Sequence, residues 1–95
     1  MLPKLDWIAI KDKYSSNPVS HTKNGKPFRI WRITEDTIFI ALPAHEQGVS
    51  RVNLQRAVDL INQGTVIAGP ADYKRLVCDE RPAYAWGILK DFSFV

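Results

Sequence analysis

The spacing of apolar positions changes period along the chain. Residues 3–15 carry them at helical intervals: Leu5, Ile8 and Ala9 share one face, and Trp7, Ile10 and Tyr14 continue round it. Pro3 suits the first helical position, where its missing N–H is no loss. Pro18 disfavours helix in the residue before it, so Ser15-Ser16-Asn17 closes the segment. The stretch "VSHTKNGKPFRIWRITEDTIFIALP" then alternates with period two. Asn24-Gly25 is a hairpin dipeptide suited to a type I′ turn. It joins a strand at 19–22 to one at 27–33. Glu35-Asp36 forms a second polar turn before a strand at 37–42, with Ile38, Ile40 and Leu42 on one face. Pro43 ends that strand and "AHEQG" reads as loop.

Helical spacing returns at 51–62. Ser50 is placed to cap this helix, and Val49 and Leu54 have staple spacing across its start. Leu54, Ala57, Val58 and Ile61 form its core stripe, and Gly64 suits the left-handed residue that closes it. Residues 65–68 read as a short extended piece. Gly69-Pro70 opens a short helix at 70–77, with Tyr73, Leu76 and Val77 inward. A last helix spans 81–92, capped by Asp79 and with Ala85, Ile88, Leu89 and Phe92 on one face. Gly87 within it costs roughly 1 kcal/mol against alanine, which a close backbone neighbour would explain. The expected architecture is α+β: an N-terminal helix, a small antiparallel meander and three C-terminal helices, in one globular domain covering 1–95.

Composition agrees with a folded domain. Hydrophobic residues make up 45% and charged residues 24%, so the chain has enough apolar material for one core. Cys78 is the one cysteine, so no intrachain disulfide forms, which fits a cytoplasmic location. The N-terminus lacks the apolar core of a signal peptide, and no run is long enough to span a membrane. The net charge of +3 fits an anionic partner only mildly.

Candidate chemistry concentrates in "KNGKPFRIWRI", residues 23–33. Strict alternation puts Phe28, Ile30 and Arg32 on one side of the strand, and Arg29, Trp31 and Ile33 on the other. Arg29, Trp31 and Phe39 on a sheet face, with Lys23 and Lys26 at the turn, would suit single-stranded nucleic acid: cations neutralise phosphate and rings stack on bases. The spacing does not match the ribonucleoprotein motif of RNA-recognition domains. The competing reading makes Trp31 and Phe39 a cross-strand pair covered by the first helix through Trp7 or Ile10, with Arg29 and Arg32 snorkelling at the edge. Arg51 and Arg56 extend the basic set, because free N–H groups at the start of helix 51–62 suit a phosphate.

A second class of function uses the last helix. Tyr84 and Trp86 lie off its apolar stripe, and with Phe92 they would make an aromatic interface for a homodimer or another protein. Catalysis has little support, since nothing brings His21 and His45 together. No residues have metal-ligand spacing, and no cofactor is implied. The expectation is therefore a non-catalytic binding module, taken first as nucleic-acid binding and alternatively as a protein-interaction subunit.

Overall fold

The computed structural model describes residues 4–43 and 46–95. The elements run α1 (Trp7–Ser16), β1 (Val19–His21), β2 (Pro27–Ile33), β3 (Thr37–Ala41), β4 (Glu46–Ser50), α2 (Arg51–Asn62), α3 (Pro70–Leu76) and α4 (Pro82–Asp91). This is the expected α+β order with one strand more. The sheet is antiparallel throughout, in the order β1-β2-β3-β4. The segment containing "EQG", read from sequence as loop, is the edge strand β4. Its glycine and polar residues are depleted in strands, so it carried little strand signal.

One face of the sheet builds the core. Ser20, Phe28, Ile30, Ile38, Ile40 and Val49 are buried on it, against Leu54, Ala57, Val58, Ala85, Ile88 and Leu89 from the helices. Each large aliphatic side chain so buried contributes about 1.5–3 kcal/mol. The helices form a single layer, and the alternation of buried and exposed positions leaves the other sheet face to solvent.

Helix α1 begins later than its apolar pattern suggests. Asp6 caps it, accepting from the Ala9 N–H at 3.1 Å. Pro3 lies outside the described residues. Trp7, Ile10 and Tyr14 form the buried stripe, whereas Ile8 is 73% exposed. Two long-range bonds fix the helix: Trp7 Nε1 donates to Thr34 O (2.8 Å), and Tyr14 Oη donates to Asp91 Oδ2 (2.6 Å).

The first hairpin differs in turn type. Only Gly25 has positive φ (+86°), and the Thr22 N–H donates to Lys26 O. The connection is thus a three-residue loop with glycine in the left-handed position, in place of a type I′ turn.

Helix α2 matches its sequence signals closely. Ser50 Oγ accepts from the Asn53 N–H, Val49 and Leu54 are both buried, and Gly64 has φ +97°. The Thr65 N–H reaches Leu60 O and the Gly64 N–H reaches Ile61 O, the paired bonds of a Schellman ending. Residues 65–68 form no strand; Ile67 O instead accepts from Trp86 Nε1 at 3.0 Å.

The last helix is not capped by Asp79. Its N-cap is Arg81, with no side-chain cap bond, and Asp79 lies 3.9 Å from Lys74 Nζ. The neighbouring Glu80 serves a different helix. Its Oε1 accepts from the Ser50 N–H (2.8 Å) and from Asn53 Nδ2 (3.0 Å), so it anchors the start of α2. Gly87 does have the close backbone neighbour its position implied. A Cβ there would lie 2.3 Å from His21 O, because α4 rests directly on β1.

Two substitutions follow. Gly87→Ala gains about 1 kcal/mol of helix propensity. It also drives a methyl into backbone that cannot turn aside, so urea unfolding should show a net loss of about 1–3 kcal/mol; a stabilised variant would contradict the close approach. Glu80→Ala should cost about 1.5–3 kcal/mol in the same measurement, from the loss of two charge-assisted bonds. Unchanged stability would mean Glu80 does not hold α2.

Candidate nucleic-acid interface

The solvent face of the sheet is set by a break in alternation. Ile30 pairs with Ile40, but Arg32 pairs with Phe39 and Ile33 with Ile38. Trp31 is therefore an extra residue in β2, a β-bulge opposite β3. Strict alternation would place Arg32 beside Phe28 and Ile30 on the core face. The bulge overturns this: Arg29, Trp31 and Arg32 are all exposed, while Ile33 returns toward the core.

Trp31 is 52% exposed, so the covered aromatic pair is not formed. Trp7 and Ile10 of α1 belong to the buried core, and Lys11, Tyr14 and Ser15 of the same helix line a cleft with Trp31 and Arg32. What sits over Phe39 is the Arg32 guanidinium, 3.7 Å from the ring centroid and 5.0 Å from that of Trp31. Such contacts contribute about 0.5–1 kcal/mol at exposed sites. Arg32 Nη2 also reaches Glu46 Oε1 on β4 at 3.2 Å. Both ends of this pair are exposed, so it adds at most about 1 kcal/mol. Gly48, paired with Phe39, leaves room for Thr37: a Cβ there would lie 2.8 Å from Thr37 Cγ2, and 3.7 Å from the Phe39 edge in ordinary contact. Arg29 lies between Val19 and Ala41, with no ion pair among the described residues.

The predicted cations do not form one cluster. Arg29 and Arg32 belong to the open sheet face. Lys23 and Lys26 stand at the hairpin end, where they line a cleft with Arg81 and Tyr84. Lys23 leans toward the helices, with Nζ 5.9 Å from the Trp86 centroid. Arg51 is used internally: Nη1 donates to Glu35 O (3.1 Å), and the guanidinium sits 5.1 Å from the Trp7 centroid. Arg56 is exposed on α2, opposite the buried Leu54, Ala57 and Val58, and so points away from the sheet face. At the start of α2 the Arg51 N–H donates to Asp36 O and the Asn53 N–H to Ser50 Oγ, and the Glu80 carboxylate, bonded to the Ser50 N–H and Asn53 Nδ2, lies beside them.

Of the three aromatic rings assigned to an interface on α4, one is buried and two are half-buried. Trp86 is buried and bonded to Ile67 O. The Tyr84 ring meets Phe28 edge-on at 4.8 Å, and Phe92 meets Tyr14 at 5.9 Å. Burial, then the bond to Asp91, raises the Tyr14 phenol far above its ordinary range, so it remains a proton donor in the core. His45 lies outside the described residues. Among the described residues no group of three or more acidic, histidine or cysteine side chains is placed to hold a metal, and no helix is long and apolar enough to cross a membrane.

Sequence reasoning missed Glu46 as a neighbour of this face, because it missed β4. The bulge has no signature in "FRIWRI" that separates it from regular alternation. Compared with known proteins, the chain has no significant match among family models, curated proteins or solved structures.

Proposed function

We propose that this protein is a non-catalytic binding module whose open sheet face takes single-stranded nucleic acid. The observation that carries this reading is the half-exposed Trp31 ring, flanked on an uncovered sheet by Arg29 and Arg32. An exposed indole accepts a base by stacking, and a base offers its flat face whatever its sequence. Arg29 is free to meet a phosphate. Arg32, held flat on Phe39, extends the platform and keeps its charge at the strand. The small Ala41 side chain beside Arg29 leaves the path across the sheet low. A duplex fits less well, since its bases are already stacked and its grooves call for a protruding element.

The test is fluorescence anisotropy with labelled single-stranded and duplex oligonucleotides, from low to physiological salt. Single strands should bind, with affinity falling log-linearly in salt. Trp31→Ala should weaken binding by about 1–3 kcal/mol, roughly five- to 150-fold. Arg29→Ala should reduce the salt slope by about 0.7. Arg56→Ala, on the far side of the helical layer, should change neither by more than the loss of one distant charge. Absence of binding at low salt, or a Trp31→Ala variant that binds like the wild type, would rule the reading out.

A further inference from the structure

The cleft at the end of the first hairpin is separate from the sheet face. It measures about 440 Å³, within the range of small-ligand sites, and lies between the β1–β2 turn and the start of α4. Three cations line it, Lys23, Lys26 and Arg81, and no acidic residue does. None of the three forms an ion pair among the described residues. Thr22 and Asn24 add polar groups, and Pro82 and Tyr84 supply an apolar wall.

Two of the cations sit at distinctive backbone positions. Lys23 lies along Gly69, where a Cβ would come within 3.0 Å of Nζ. Arg81 adopts the left-handed conformation, φ 48° and ψ 52°, which is unfavourable for a residue with a side chain. Asp72 offsets part of the charge at Lys23; the like charges that remain around the cleft repel each other, and a multiply charged anion relieves that repulsion. A phosphate dianion has the charge and the acceptor oxygens to engage all three.

We propose that this cleft binds a phosphate monoester, with Lys23, Lys26 and Arg81 on the phosphate and Tyr84 and Pro82 along the attached organic group. The monoester has two sources, a free nucleoside monophosphate or the 5′-phosphorylated end of a strand. The proposal does not rest on the sheet-face reading.

The experiment is a heteronuclear NMR titration of the intact chain. The probes are adenosine monophosphate, adenosine, and a short oligonucleotide with or without a 5′-phosphate. At millimolar concentrations the monophosphate should shift the amide signals of Lys26, Ala83 and Tyr84, and adenosine should not. Response to the monophosphate assigns the free nucleotide. Response only to the 5′-phosphorylated strand assigns the strand end. Lys26→Gln and Arg81→Gly should each weaken binding about tenfold, the loss of one charge-assisted bond. Glycine accepts the left-handed backbone, so Arg81→Gly removes the cation and keeps the fold. Trp31→Ala should leave the monophosphate affinity unchanged, which separates this site from the sheet face. The proposal is overturned if no phosphorylated probe shifts these signals, if adenosine does so equally, or if both cleft variants bind normally.

Discussion

The additional residue in β2 governs what this sheet shows to solvent. Without a bulge at Trp31, alternation would carry Arg32 onto the core face next to Ile30, and an unpaired guanidinium would be buried at a cost of several kcal/mol. With it, two consecutive side chains, Trp31 and Arg32, leave by the same face, and Ile33 resumes the apolar side opposite Ile38. The bulge thus keeps the core dry and concentrates a ring and two guanidinium groups on the outer face. Gly48 on β4 faces the same side, where a Cβ would press on Thr37 Cγ2 and touch the Phe39 ring at ordinary contact distance.

The opposite face is fixed by contacts that are long in sequence. Helix α4 rests on β1 at Gly87, ties to α1 through Asp91 and Tyr14, and reaches the 65–68 segment through Trp86. Just before it, Glu80 holds the start of α2. These contacts tie α1, α2 and α4 together, and α3 packs against α4. Among the described residues, Arg29, Trp31 and Arg32 of β2 stay exposed on the outer face. The same packing brings Arg81 to the hairpin end beside Lys23 and Lys26, so the cleft is a product of how α4 seats on β1.

Much of this was legible from residues that act locally. Ser50, Val49, Leu54 and Gly64 bound α2 because caps, staples and left-handed endings are chemistry within a few positions. Gly87 marked a close approach because nothing else justifies glycine inside an apolar helix. The features that decide the site were not legible. A bulge depends on pairing between two strands, and β4 is a strand only because β3 offers it partners. The partner of Glu80 lies thirty residues away in sequence. The stripe on α4 was drawn for a helix with one buried side, whereas α4 meets β1, α3 and, through Asp91 and Phe92, α1, which buries Trp86 and half-buries Tyr84 and Phe92. Lys23 and Arg29 lie six positions apart in one hairpin, yet Lys23 leans toward Trp86 and Arg29 stays exposed on the sheet.

The most direct measurement is a map of amide chemical-shift changes on adding a short single-stranded oligonucleotide that lacks a 5′-phosphate. If the open sheet is the binding face, changes should fall on Arg29, Trp31 and Arg32 of β2 and on their cross-strand partners Phe39 and Ala41, with the indole N–H of Trp31 moving most. Those of Trp7 and Trp86 should stay in place. Changes confined to α2 or to the α4 side, with Trp31 unmoved, would contradict it.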